Sequence, residues 1–423
     1  MLIHVVQRGE SVWQIAQRYR VSPDAIVRAN QLPNPDRLVI GQALVIPVPD
    51  RHVVQPGESL WSIAQRYGIT VEALARANRI ADPARIFPGQ VLVIPERPKP
   101  TIEVNAFLEI MGTRGQQIVR EVGAALTYLS PFSYQVRADG SLNPLPDEAV
   151  LATAQEQRVA PLMVITNFAD GRFRSDIARA VFTDPAAQER LLAGVLNTMR
   201  AKGYRGLIIN FEYVYPEDRQ RYNQFLRRVT ERLRPEGYLV SSALAPKTRA
   251  DQPGLLYEAH DYPAHGALLD FVILMTYEWG WSGGPPMAVA PVDQVRRVLD
   301  YAVTAIPRGK ILMGMPLYGY DWTLPYVRGG PFAQSISPQE AIQRAARYGA
   351  TIQYDPQAQA PFFRYVDAQG RRHEVWFEDA RSVQAKFNLV KAYRLRGISY
   401  WVLGHAFPQN WLLLLDNFRV QKR

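Results

Sequence analysis

"GLIINFEYVYPED", residues 206–218, is the stretch on which the reading of the fold turns. Its first half is an apolar run opened by a glycine, the composition of a strand covered on both faces. Side chains alternate along a strand, so Leu207, Ile209 and Phe211 face one way while Ile208, Asn210 and Glu212 face the other. An amide and a carboxylate at the end of a doubly covered strand are costly unless they reach a solvated cleft. In a closed parallel β/α barrel the carboxyl ends of the strands open into such a cleft, and the chemistry sits there. The competing use of Glu212 is structural, capping the next helix or pairing with a nearby arginine such as Arg219.

Seven further strand candidates are spread outward from this one. They begin at Ile102, Ala125, Val159, Tyr238, Asp270, Lys310 and Gly397, with amphipathic helical stretches between them. Eight strands with crossover helices over residues 102–423 predict an α/β fold of the (β/α)8 TIM-barrel type. An open doubly wound sheet fits less well, since no glycine-rich phosphate loop follows the first strand. The seventh-to-eighth interval is overlong and holds a possible hairpin at residues 360–379, which predicts a small insertion at the mouth over about 321–380. Tyr277, Glu278, Tyr318 and Trp401 lie at the ends of the sixth, seventh and eighth strands and converge with Asn210 and Glu212. Aromatic side chains around one acid suit a sugar ring.

Ahead of the barrel the chain repeats itself. "HVVQRGESVWQIAQRYRVSPDAIVRAN" from His4 recurs from His52, pairing Trp13 with Trp61, Asn30 with Asn78 and Gly41 with Gly89. Each copy predicts a β-α-α-β unit, its first helix capped by Ser11 or Ser59. Residues 1–48 and 50–96 form the two modules. Three prolines between Pro95 and Pro100 give a semi-rigid spacer over 97–101. Trp13 and Trp61 are assigned to the module cores, because large aromatics dominate burial in small domains.

The remaining composition narrows the function classes. The chain has 423 residues and a net charge of +10. That charge predicts an acidic partner: nucleic acid, an anionic membrane or a cell-wall polymer bearing carboxylates. The arginine-rich segment 219–234 has helical spacing with acids nearby, so it reads as a solvated helix face and not as a nucleic-acid patch. No apolar run is long enough for a membrane span. The amino terminus has no secretory-signal pattern, which predicts cytoplasmic synthesis. Cysteine is absent, and the six histidines lack ligand spacing, so no metal and no cofactor are expected.

Two resemblances sharpen these expectations. The repeat, with its G-E-S, A-Q-R-Y, R-A-N and V-I-P elements, resembles the LysM module, which binds N-acetylglucosamine-containing glycans. The resemblance implies sugar grooves between Gly9, Glu10, Ser11, Val12 and Leu38, Val39, Ile40 in the first copy. In the second copy the groove falls between Gly57, Glu58, Ser59, Leu60 and Ile86, Phe87, Pro88. Residues 101–423 resemble the family 18 glycoside hydrolases, on "MTYEW" at Met275, "GMPLYGYDW" at Gly314 and "SYWVLG" at Ser399. Of that family's D-G-x-D-x-D-x-E signature, Gly206 and Glu212 remain, while the aspartate positions hold Arg205, Ile208 and Asn210.

The second resemblance implies a substrate-assisted retaining mechanism. Glu212 would be the general acid and base, Asn210 would orient the substrate acetamide, and Tyr277 would hold its carbonyl. Trp401 would form the sugar floor, with Tyr318 and Glu278 contacting substrate. Because an amide donor favours the ionised carboxyl, Asn210 in place of aspartate predicts an acid-shifted activity profile. The whole architecture resembles spore-associated peptidoglycan N-acetylglucosaminidases, which implies action on cortex fragments during germination and deposition near the spore coat and cortex after synthesis in the mother cell. A chitinase and a catalytically silent glycan-binding coat protein are the alternatives, and retention of Glu212 argues against the second.

Overall fold

The computed structural model describes residues 1–47 and 51–423. It divides into two compact units, Met1–Pro100 and Thr101–Arg423.

The first unit holds the two repeats, each an antiparallel strand pair with two helices. In the first copy Leu2–Val5 pairs with Ala43–Ile46, and in the second Arg51–Val53 pairs with Val91–Val93. The shared sequence elements have identifiable work. Asn30 donates to the Ile26 carbonyl at 2.9 Å and the Val45 carbonyl at 2.8 Å and accepts from the Val45 amide at 2.8 Å, which fastens the second helix to the closing strand. Asn78 repeats this clamp on Leu74 and Val93. Ser11 and Ser59 close capping boxes at the first helix of each copy.

Trp13 and Trp61 correct an expectation: they are 62% and 63% exposed. An eight-residue helix has one inward stripe, and Val12, Ile15 and Ala16 occupy it in the first copy, with Tyr19 packed alongside. Position 13 lies about 100° away from position 12, so its indole faces solvent.

In the second unit eight parallel strands close into a barrel, with all eight sequence-predicted strands present. They are β1 (Thr101–Leu108), β2 (Tyr128–Pro131), β3 (Ala160–Thr166), β4 (Gly206–Asn210), β5 (Leu239–Leu244), β6 (Phe271–Leu274), β7 (Ile311–Pro316) and β8 (Gly397–Trp401). Each pairs in parallel with its chain neighbour, and β8 returns to β1 with Gly397 opposite Glu103. Gly397 is needed there, because a Cβ would lie 1.8 Å from the Glu103 carbonyl oxygen.

The strand that opened the argument is placed as its alternation requires. Ile208 packs inside the barrel with Leu162, Val164, Ala243, Ile273 and Leu312. Phe211 faces outward against Phe182, Tyr222 and Phe225 of the surrounding helices. Full burial of an aliphatic chain such as Ile208 stabilises by about 1.5–3 kcal/mol.

The insertion after β7 is larger than a hairpin. Its strands Gly319–Leu324, Gln334–Ile336, Gln353–Asp355, Ala360–Val366 and Arg372–Trp376 form one antiparallel sheet, joined by the helix Pro338–Arg347. The expected hairpin is the pairing of Ala360–Val366 with Arg372–Trp376. Of the other three strands, Gln334–Ile336 and Gln353–Asp355 have only three residues each, and the six of Gly319–Leu324 are too mixed in polarity to announce themselves by alternation. Asp321 anchors the sheet, accepting from Tyr365 at 2.6 Å and His373 at 2.8 Å and pairing with Arg344.

Candidate active site

Beyond the last residue of β4 the chain delivers Glu212 to the barrel mouth, where its side chain is half-buried. Two side chains fix its backbone. Asn167, just past β3, accepts from the Glu212 amide at 3.0 Å and donates to the Glu212 carbonyl at 2.8 Å. His260 holds the preceding peptide: its Nδ1 accepts from the Ala245 amide at 2.8 Å, so Nε2 carries the proton that it donates to the Phe211 carbonyl at 2.9 Å. Burial keeps that imidazole neutral, its pKa lowered to about 4. Neither structural use of Glu212 is made: Arg219 pairs with Asp261 at 3.0 Å, and Asp218, not Glu212, precedes the helix Arg219–Leu233.

Asn210 is 4% exposed and donates through Nδ2 to Glu212 Oε1 at 3.3 Å. Its Oδ1 is buried and has no hydrogen-bond partner among the described residues. A buried acceptor left without a donor costs about 1–3 kcal/mol, and a catalytic role is one of the reasons for which a native fold keeps such a group.

The Glu212 carboxyl is raised from its ordinary 4.5 to about 7, first by burial and further by the charge of Glu278, against a lowering contribution from the Asn210 amide. The amide acts in the direction expected from the sequence, toward a lower pKa than a carboxylate at position 210 would give, while desolvation sets the overall rise above the free carboxyl value.

Tyr277 stands over the same space. Burial, and then the charges of Glu212 and Glu278, keep its phenol protonated and a hydrogen-bond donor. Glu278 adopts a left-handed backbone (φ 68°), so the alternation of β6 does not govern its direction. It accepts hydrogen bonds from Tyr318 and, at 2.9 Å, from Tyr320, both from the segment entering the insertion. Burial raises the Glu278 carboxyl too. Tyr318 is therefore a buried support for Glu278. Trp401 lies edge-on to Phe107 and Phe132, with centroids at 5.5 and 4.8 Å, and closes the barrel core beneath the mouth. Tyr277 and Trp401 also pack, with Trp376, against the Tyr318–Tyr320–Trp322 cluster.

The structure thus brings together Glu212, Asn210, Tyr277, Glu278, Tyr318 and Trp401. Sequence reasoning missed Asn167, His260 and Tyr320. A polar residue just beyond the third strand was a usable signal for Asn167, of the same kind that exposed Asn210. His260 lies in an irregular segment with no periodic signal. Exposed aromatics also rim the barrel: Trp281 and Phe332, with centroids 6.2 Å apart, after β6 and β7, and Tyr213 beside Phe173 after β4 and β3.

In the amino-terminal unit the groove residues divide by burial. Val12, Val39 and Leu60 are core side chains, leaving only their backbone for a ligand. Glu10 accepts from His4 at 2.8 Å and pairs with Arg18, and Glu58 does the same with His52 and Arg66. Both carboxylates are therefore structural. Gly9 and Gly57 turn at φ 80° and 81°, Ser11 and Ser59 serve as caps, Leu38, Ile40 and Ile86 are partly covered, and Phe87 and Pro88 are exposed. Among the described residues no His/Cys/Asp/Glu cluster suits a metal ion, and no helix is long and apolar enough to cross a membrane.

A closed β/α barrel with one protonatable glutamate beyond β4, beside an amide and a tyrosine, defines a glycosidase of the chitinase-like class. The sequence profile of glycosyl hydrolases family 18 matches residues 152–406, and that of the LysM domain matches 4–47 and 52–95. The chain belongs to glycosyl hydrolase family 18 and carries two LysM domains. It is 56% identical over 428 residues to a cortical fragment-lytic enzyme of Bacillus subtilis (strain 168), covering 100% of this chain and 99% of that protein. It is 47% identical to a cortical fragment-lytic enzyme of Bacillus cereus, with the same coverage. Among solved structures, the spore cortex-lytic enzyme SleL of Bacillus megaterium QM B1551 aligns with a TM-score of 0.91 and 46% identity, covering 100% of this chain and 99% of that one. A chitinase of Chromobacterium violaceum ATCC 12472 aligns at a TM-score of 0.69 and 28% identity over 75% of this chain and 98% of its own.

Proposed function

We propose that the protein hydrolyses β-1,4 bonds after N-acetylglucosamine in peptidoglycan, acting on spore cortex fragments during germination. The observation that carries this reading is the unpartnered Asn210 Oδ1, buried beside a glutamate that titrates near neutrality. An acetamido N–H would satisfy that acceptor.

The proposed roles follow from chemistry. Glu212, kept partly protonated up to neutral pH, gives its proton to the leaving glycosidic oxygen. The acetamido carbonyl attacks the anomeric carbon and forms a cyclic intermediate, positioned by the Tyr277 hydroxyl and by Asn210. The ionised Glu212 then takes a proton from the water that opens the intermediate, and the configuration is retained. Trp401 would be the floor under the sugar, and Glu278, held by Tyr318 and Tyr320, would contact it or tune Glu212 through charge.

The LysM modules would hold the polymer, raising the effective substrate concentration at the barrel. Exposed Trp13, Trp61 and Phe87 are the side chains best placed to stack on sugars. Of the proposed division into 1–48, 50–96, a spacer at 97–101 and a barrel from 102, the change of compact unit after Pro100 supports the last boundary, with Thr101 already in β1; the boundary between the modules lies outside the described residues. Deposition near the spore coat and cortex is part of this proposal, and the likeness to cortical fragment-lytic enzymes supports it.

Reducing ends released from purified cortex fragments and from chitin oligomers would test the substrate. The proposal expects release from the fragments, with N-acetylglucosamine at the new reducing end. Release from chitin alone would replace it with the chitinase reading.

A further inference from the structure

The cation at Arg205, where the family signature has an acid, finds no use in the site above. Arg205 immediately precedes β4, and Glu212 follows it. Seven residues at about 3.3 Å each put roughly 20 Å of barrel between them.

At that opposite end Arg205 lines an open cleft of about 1000 Å³ beneath the amino ends of β2 to β5. The cleft presents Arg158, Arg200, Lys202, Arg205 and Arg423 against only two carboxylates, Glu148 and Glu236. Compensation among them is uneven. Arg200 pairs with Glu236 at 2.6 Å, Lys202 with Glu148 at 2.8 Å, and Arg423 with Glu103 at 2.6 Å. Arg158 and Arg205 are exposed, and neither guanidinium has an ion pair or hydrogen bond among the described residues. Leu151, Pro161 and Leu239 add apolar surface to the lining.

Two uncommitted guanidinium groups in one cleft of mixed polar and apolar lining match a short peptide bearing carboxylates. Guanidinium binds carboxylate through two parallel hydrogen bonds, and a cleft with excess positive charge concentrates anions. The volume is that of a small-ligand site.

We propose that this cleft binds the acidic stem peptide of peptidoglycan, a second contact with the polymer on the barrel face away from the cleavage site. The inference rests on the peptidoglycan reading above. Because the two sites face opposite ways, the captured peptide belongs to a neighbouring strand and not to the sugar being cleaved.

The test uses the full chain and the Arg158→Ser/Arg205→Ser variant, with L-alanyl-D-glutamate and its diamide as probes. We expect the diacid to bind wild type in a salt-sensitive manner, at least tenfold more weakly to the variant, and the diamide not at all. Hydrolysis of peptide-free glycan strands is expected to be equal in the two proteins. Equal diacid affinity in both proteins, or a diamide that binds as well as the diacid, overturns the inference. Duplex DNA held by wild type and lost by the variant, with no diacid binding, assigns the cleft to nucleic acid and overturns it as well. Should neither protein cleave peptide-free glycan, the catalytic reading fails separately, and the binding comparison still decides the cleft.

Discussion

Glu212 sits where opposing effects on one carboxyl are decided by burial. Its pKa near 7, against an ordinary 4.5, means that the folded protein holds this proton more tightly than the unfolded chain does. The stabilisation is complete below about pH 4.5 and is lost as the pH rises through 7, a difference on the order of 3 kcal/mol. Glu212→Gln is therefore expected to raise the melting temperature at pH 8 and leave it nearly unchanged at pH 4, as calorimetry at the two values would show. Activity that needs the protonated acid falls on the alkaline side of about pH 7. Asn210→Asp replaces a lowering amide with a second carboxylate 3.3 Å away and moves that limb upward. A pH–kcat profile of the variant that stays in place or shifts down would remove Asn210 from the account.

Between elements, the site depends on how neighbouring strand ends hold one another. Asn167 ties both backbone polar groups of Glu212 to the end of β3, and His260 ties Phe211 to the segment after β5. Asn167→Ala is expected to lower kcat by about 10- to 100-fold with KM little changed, since a misplaced acid loses positioning and not substrate binding. Steady-state kinetics on soluble fragments checks this. A variant whose KM rises while kcat holds would mean that Asn167 binds substrate. A simpler test lies in the LysM repeat, where Arg20 ends its helix in the left-handed conformation (φ 57°) and the matching residue of the second copy is Gly68 (φ 61°). Arg20→Gly removes strain but also the Arg20–Glu58 pair at 3.0 Å. With Arg20 47% exposed and Glu58 still held by His52 and Arg66, the pair contributes less than the roughly 1 kcal/mol of left-handed strain. A net gain in the unfolding free energy of the first module is expected.

At the scale of the whole molecule, a polymer binder and a barrel enzyme share one chain, and they are separable by substrate. Trp13→Ala/Trp61→Ala is expected to reduce retention on insoluble peptidoglycan at least tenfold while hydrolysis of short soluble fragments stays within twofold of wild type. A co-sedimentation assay beside a soluble-fragment assay reads both. Much of this organisation was legible in the sequence because it rests on short-range rules. The repeat, the eight apolar strands and the alternation that sends Asn210 and Glu212 to one face are all periodic signals. Trp13 was misassigned because size suggested burial where helical phase decided exposure. The five-stranded insertion, the Tyr318–Tyr320 support of Glu278 and the His260 clamp depend on contacts between distant segments, which no local pattern encodes. The balance at Glu212 was missed for a related reason: the amide two residues away was visible in the sequence, and the desolvation that outweighs it arises only once the barrel has closed.

The most direct measurement compares wild type and Glu212→Gln on purified cortex fragments, quantifying new reducing ends at pH 6. The account expects the variant to bind the fragments as tightly as wild type and to cleave them at least 100-fold more slowly. A glutamine variant that cleaves at a wild-type rate would contradict it.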